Sequence, residues 1–211
     1  APVLVSLGFQ PDELDVLKEE FSGDKLSAAI RWVCILFNIH SLLEEIRQGT
    51  SRISEIIKSL KSYVYRGQAQ VQMIDIHESL DNTLVMLRGK LKTGIEVERN
   101  YADDLPRVQA FGSELNQVWT NLIDNAADAM SGKGSLTIKT THEKDWVFVE
   151  FVDTGPGIPK EIQHKLFDPF FTTKAVGKGT GLGLNISFNI IQKHKGSITV
   201  SSRPGKTCFT V

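Results

Sequence analysis

Cysteine is scarce in this 211-residue chain: only Cys34 and Cys208 occur, far apart, and neither belongs to a CxxC pair or a Cys/His cluster at metal-ligating spacing. That speaks against a disulfide framework and predicts a reducing compartment, the cytoplasm. Long apolar runs are missing too. The longest, around Trp32 to Ile39, falls well short of the roughly 20 residues a membrane span needs, and no signal-peptide pattern opens the chain. Neither sign of charge dominates, since 24 basic residues face 25 acidic ones for a net charge of −1. No global field steers the chain toward nucleic acid or an anionic membrane, so any recognition of phosphate has to be local. Internal repeats and low-complexity tracts are lacking as well. What is there, 41% hydrophobic and 23% charged residues, is the composition of a globular protein with a real core. The opening APVL, without an initiator methionine, and the strand-like ending TCFTV predict a piece of a longer chain.

Pro11, Asp12 and Glu13 mark a helix start, and Ser22 to Asp24 close that helix and cap the next. The second helix is predicted over 25–66. Ala29, Trp32, Leu36, Ile39, Leu43, Ile46, Thr50, Ile53, Ile57, Leu60 and Val64 follow one another at spacings of 3 and 4, and Thr50 alone is polar. This is a heptad seam. Gly49, Thr50 and Ser51 offer a hairpin instead, but a turn would reset the heptad phase, which runs straight through. The narrow seam, flanked by Glu44, Glu45, Arg47, Lys58 and Lys61, predicts a homodimer through this helix, with an intrachain core helix as the plainer alternative.

After a polar link, YRGQAQVQ, the pattern becomes mixed. Helices are predicted over 77–92, 113–131, 159–167 and 181–194, and strands over 95–101, 107–111, 135–141, 146–152, 197–202 and 207–211. Helices segregated from an antiparallel-leaning sheet give an α+β fold, a two-layer α/β sandwich over 71–211 that follows a helical region over 1–70.

Three segments carry more than their secondary structure requires. In ELNQVWTNLIDNAADAM, Leu115, Val118, Trp119, Leu122, Ile123, Ala126 and Met130 form an apolar face, while Asn121 and Asn125 sit one turn apart on a shared polar one. Asparagine is a poor helix former. Two stacked amides can present oxygens to a hard cation or donors to phosphate, although a solvated face accounts for the spacing as well. In the second segment, Asp153 ends the most apolar strand just before a turn made by Gly155, Pro156 and Gly157. An ionised aspartate there is an acceptor able to read an exocyclic amine beside a flat ligand, yet turn chemistry alone explains the glycines. The third segment, FTTKAVGKGTGLGLNI from Phe171, places Gly177, Gly179, Gly181 and Gly183 at every second position with Lys174 and Lys178 among them. Glycine-rich backbone entering a helix offers free N–H groups and the positive end of a dipole, a phosphate site, unless it is simply a surface loop. It is not a Walker A loop, which would need glycine at Thr172 or Val200. Nor is it a Rossmann fingerprint, whose last glycine falls on Leu182 or Leu184.

In order, NLIDNAADAM, DTGPGIP, FDPFFTTK and GKGTGLGL closely resemble the boxes of the ATP-binding domain (Bergerat fold) shared by histidine kinases, type II topoisomerases, heat-shock-90 chaperones and mismatch-repair ATPases. The resemblance covers roughly residues 75–211. It implies that ATP and Mg2+ are bound, with Asn125 holding the metal, Asn121 beside it, and Asp153 hydrogen-bonding the adenine amine. It further implies that Gly155, Gly157, Thr173, Lys174, Gly177, Gly179, Gly181, Leu182 and Gly183 line the nucleotide site and that residues 168–180 form a lid.

Hydrolytic members carry a glutamate one turn before the metal asparagine, where this chain has Asn121. The boxes resemble those of sensor histidine kinases, the nitrogen-regulation subgroup in particular, and so imply phosphoryl transfer to a protein histidine in two-component signalling. A response regulator or another protein acceptor is the implied partner, and the sensor domain is expected outside this chain. The family's acceptor box, resembling His-Glu-Leu-Asn-Asn-Pro-Leu, is not found. His77-Glu78 copies only its start, and His40, on the flank of the seam with Glu44 one turn on, is the remaining candidate phosphoacceptor. His142, His164 and His194 read as ordinary histidines. The missing box leaves open an ATP-dependent interaction module that does not phosphorylate itself.

Overall fold

The computed structural model describes residues 24–64, 70–91, 94–174 and 179–211. The predicted helix that starts at Pro11 lies outside them, as do Gly177 and Lys178. The chain divides into two compact units between Ile56 and Ile57.

Helix α1, Asp24–Val64, runs through Gly49 without a break, as the uninterrupted heptad phase requires. Trp32, Leu36, Ile39, Leu43 and Ile46 are all 48% to 65% exposed along it.

The second unit holds strands β1 (Gln72–Ile74), β2 (Ile95–Asn100), β3 (Val108–Ala110), β4 (Gly134–Glu143), β5 (Trp146–Asp153), β6 (Thr199–Arg203) and β7 (Lys206–Thr210). Its helices are α2 (Ile76–Met86), α3 (Arg88–Leu91), α4 (Gly112–Ala129), α5 (Lys160–Gln163) and α6 (Gly183–Lys193). Five strands form one sheet in the order β2-β4-β5-β7-β6; β2 runs parallel to β4 and the other pairs are antiparallel. Helix α4 packs on β5 between α2 and α6, which makes the helical layer of a two-layer α/β sandwich. The sheet's inner face buries Leu136, Ile138, Val149, Phe151 and Phe209, and the strand period of two turns Lys139 and Glu150 outward, where they pair at 3.3 Å.

The apolar stripe of α4 is the centre of the core: Val118, Trp119, Leu122 and Ile123 are at most 1% exposed. Trp119 lies against Phe151 and donates its indole N–H to Ser79 Oγ at 2.9 Å, and Ser79 donates to Asn116 Oδ1 at 2.6 Å. A buried indole N–H needs such a partner, so this short chain of bonds fixes α2 against α4. The helix predicted over 77–92 is in fact two. Leu87, at φ −88 and ψ 4, closes α2, and its N–H bonds back to Thr83 and Val85. Strand β1, antiparallel to β3, falls at the end of the segment read as a polar link and just beyond it.

Candidate functional site

The three segments singled out in the sequence converge at one end of the helical layer. Asp153, the last residue of β5, is held between Leu136 of β4 and Thr207 of β7 and is 3% exposed. Its Oδ1 accepts the Gly155 N–H at 2.8 Å, and no other hydrogen bond reaches the carboxylate from a described residue. Burial pushes this carboxyl above its ordinary value, and the Gly155 N–H opposes that push. The carboxylate therefore keeps capacity to accept a further donor. Gly155 makes the approach possible, because a Cβ there would stand 2.7 Å from Asp153 Oδ1 and 3.2 Å from Ala129 Cβ. Gly157 follows in the turn at φ +86.

Asn121 and Asn125 both emerge half-buried from the polar face of α4, but their surroundings differ. Asn121 donates through Nδ2 to Gly183 O at 2.9 Å and to Ser187 Oγ at 3.0 Å, so it fastens the first turn of α6. Ser187 is fully buried and was not visible as a site residue in the sequence. Asn125 Oδ1 instead faces the Lys174 ammonium at 3.4 Å. Lys174 Nζ also lies 2.5 Å from Asp128 Oδ2, and Lys90 Nζ lies 2.5 Å from both Asp128 Oδ1 and Asp124 Oδ1. Burial alone would raise the Asp128 carboxyl, but hydrogen bonds from Lys174 and Lys90 outweigh it and hold the group below its ordinary value. The sequence reading missed Asp128 and Lys90. Asp128 follows Asn125 by one helical turn, which was the available signal.

The glycine stretch leads into α6, whose N-cap, Leu182, supplies no side-chain bond to the first turn. Its leading N–H groups therefore point out of a helix end with the positive dipole behind them. Gly181 adopts φ +68, and a Cβ there would fall 2.3 Å from Phe170 C, so only glycine fits. A Cβ at Gly179 would stand 2.8 Å from Thr172 Oγ1, while Gly183 lies beside Asn121 and Thr173 is exposed.

A buried carboxylate with an oxygen open to a further donor, an amide oxygen that faces an ammonium, and an uncapped helix end entered through glycine thus belong to one domain. Residues 112–211 match the family described as histidine kinase-, DNA gyrase B- and HSP90-like ATPase. The catalytic domain of histidine kinase ThkA superposes with a TM-score of 0.61 at 32% identity, covering 67% of this chain and 93% of that one. The chain belongs to the histidine-kinase-like ATPase family. Its ATP-binding module is of the sensor-kinase kind. It is 34% identical over 182 residues to sensor kinase CckA of Brucella abortus (strain 2308), covering 79% of this chain. It is 35% identical over 149 residues to the sensory histidine kinase/phosphatase NtrB of Vibrio alginolyticus, covering 65% of this chain. The chain spans 19% of the former protein and 42% of the latter. The same fold occurs in a complex of ThkA with the response regulator TrrA, at 24% identity and a TM-score of 0.61.

The histidines separate clearly in this ATP-binding module and its preceding helix. His40 is exposed on α1, but Glu44, one turn on, is gripped by Arg47 at 2.5 and 2.9 Å. His77 stacks on Tyr101 at 4.3 Å and bonds Thr140 Oγ1 at 2.8 Å. His194 takes the Phe111 N–H on Nε2 and turns Nδ1 to Ile190 O, so it serves the fold. Among the described residues no helix is long and apolar enough to cross a membrane.

Proposed function

We propose that this chain is the transmitter core of a cytoplasmic sensor histidine kinase, which binds ATP with Mg2+ and passes the γ-phosphoryl group to a protein histidine. The observation that carries this reading is the buried, half-engaged Asp153 carboxylate beside Gly155, at the same end of the domain as Asn125 and the uncapped start of α6. Asp153 would accept the adenine amine. The N–H groups at Gly183 and after it, together with Gly179 and Gly181, would receive the phosphates, with Lys174 adding a point charge. Thr173, Leu182 and Gly157 would line the same site.

The donor set fits magnesium: Asn125 Oδ1 is a hard oxygen that already faces a cation. Mg2+ bound there would neutralise charge that builds up on the phosphates. Asn121 has no carboxylate with which to activate water, and its amide N–H groups are committed to Gly183 and Ser187. That favours transfer over hydrolysis, with catalysis coming from positioning and charge neutralisation. In the transfer, a neutral imidazole nitrogen attacks the γ-phosphorus, the bond to the β-phosphate oxygen breaks, and ADP leaves.

The apolar stripe of α1 would pair two copies of the chain, residues 1–70 forming the dimerising region and 71–211 the catalytic one. A response regulator would take the phosphoryl group onward, and a sensor domain outside this chain would control it. A second reading, an ATP-switched interaction module without self-phosphorylation, is favoured by one observation: Glu44, the only base near His40 that the sequence offered, is held by Arg47. Incubation with γ-labelled ATP separates the two. Label that is stable to alkali and lost in acid marks a phosphohistidine, whereas nucleotide binding without label supports the second reading.

A further inference from the structure

Lys174 and Mg2+ want the same oxygen. In this structure the Lys174 ammonium, 3.4 Å from Asn125 Oδ1, reaches it from an anchor on Asp128 Oδ2 at 2.5 Å. Asp128 is itself held from behind, because Lys90 bridges its Oδ1 to Asp124 Oδ1. The carboxylate is therefore fixed in place, and the lysine is the member of the pair that can leave.

We propose that Asp128 is a positioning residue that parks Lys174 at Asn125 while no nucleotide is bound, and so sets how readily the site accepts a magnesium–nucleotide complex. This rests on the function proposed above. An amide oxygen has two lone pairs, but an ammonium and a divalent cation brought to the same oxygen repel each other strongly at that distance. Lys174 must give up Asn125 when the complex arrives, and the phosphates are the partner that competes with Asp128 for it. The Lys174 and Asp128 side chains are each about one-third exposed. For such a pair the competition amounts to about two- to five-fold in a binding constant. The sign is the distinctive part, because removing a salt bridge next to the site should tighten binding.

The test is calorimetric titration of the full chain with a non-hydrolysable ATP analogue and magnesium, comparing wild type, Asp128→Asn, Lys174→Met, the double variant and Asp124→Asn. Asp128→Asn should bind about two- to five-fold more tightly and saturate at lower magnesium, and the gain should vanish in the Lys174→Met background. Asp128→Ser, which removes the carboxylate differently, should repeat the gain. Asp124→Asn removes a charge from the same helix without touching Lys174 and should give less. Unchanged or weaker binding in Asp128→Asn and Asp128→Ser would overturn the proposal. So would a gain that survives in Lys174→Met or is matched by Asp124→Asn, since Asp128 would then act only as a repelling charge. A wild type that binds no analogue would sink the proposed function as well; a wild type that binds while Asp128→Asn shows no gain would sink this inference alone.

Discussion

Asn121 donates its side-chain amide to the backbone oxygen of Gly183 at 2.9 Å, tying the polar face of α4 to the first residue of α6. A second bond from the same nitrogen reaches the buried Ser187 hydroxyl at 3.0 Å. Asn121→Asp keeps the shape but replaces the donor with an acceptor, which leaves two oxygens facing each other. We expect a loss of about 1–3 kcal/mol in stability by urea denaturation. The Asn125 side chain, one turn away, bonds only Lys174 among the described residues, so Asn125→Asp should shift stability by less than about 0.5 kcal/mol. It should alter the magnesium dependence of nucleotide binding more than the affinity for metal-free nucleotide. A parallel loss of both affinities would contradict the role proposed for Asn125.

Asp153→Asn should weaken ATP binding by about ten-fold or more, the loss expected when a hydrogen bond to a charged group is removed. The same variant should stabilise the nucleotide-free protein at neutral pH. The carboxyl is raised by burial in the folded state, so its contribution to stability is fully present below the ordinary carboxylate value. That contribution is lost as pH rises through the raised one. Neutral asparagine removes this cost while its oxygen can still accept the Gly155 N–H. Denaturation curves across pH 4 to 8 should therefore rise toward acid more steeply in wild type than in Asp153→Asn. Unchanged nucleotide affinity in the variant would take Asp153 out of the pocket.

What the sequence made legible follows its periodicities. The α4 stripe and the Asn121–Asn125 spacing are local helical facts, and the structure buries every apolar residue named there, from Leu115 to Met130. β1 escaped notice because two of its three residues are exposed and, among the described strands, it pairs with β3 alone. The stop at Leu87 is a matter of backbone angles that a helical pattern continuing through 92 conceals. The Lys174–Asp128 pair spans 46 positions, and no local period reports a contact made across a fold. The sequence places Glu44 one helical turn after His40, and the structure adds Arg47, which pairs with Glu44 from three residues on.

Gly181 sits at φ +68 with no room for a Cβ against Phe170. Gly181→Ala should cost about 1–3 kcal/mol of local strain, concentrated at the entrance to α6. We expect nucleotide affinity to fall several-fold while the denaturation midpoint of the domain core, followed by circular dichroism, moves little. Wild-type affinity in this variant would show that the bend at Gly181 plays no part in binding.

The five apolar seam residues described on α1, Trp32, Leu36, Ile39, Leu43 and Ile46, are at least 48% exposed. Burying a large apolar side chain stabilises by roughly 1.5–3 kcal/mol, so a stripe of this length strongly favours a partner. Sedimentation should find a dimer. Leu43→Glu with Ile46→Glu should yield monomers that still bind ATP. A wild type that remains monomeric at high concentration would defeat the dimer.

The acceptor is the sharpest test of the proposed function. A phosphoryl acceptor must be exposed, carried outside the nucleotide domain, and available as a neutral imidazole near pH 7. Among the five histidines only His40 meets the first two conditions, since His77 is stacked on Tyr101 and His142, His164 and His194 lie within the nucleotide domain. The base it needs is compromised, because Arg47 holds Glu44. Self-phosphorylation should therefore be slow. Arg47→Ala, by removing that ion pair, should speed it, while His40→Ala abolishes the acid-labile label and leaves ATP binding intact. Label retained in His40→Ala would move the acceptor to His77 or to another protein. Fast labelling in the wild type would mean that the Arg47–Glu44 pair does not restrain the reaction.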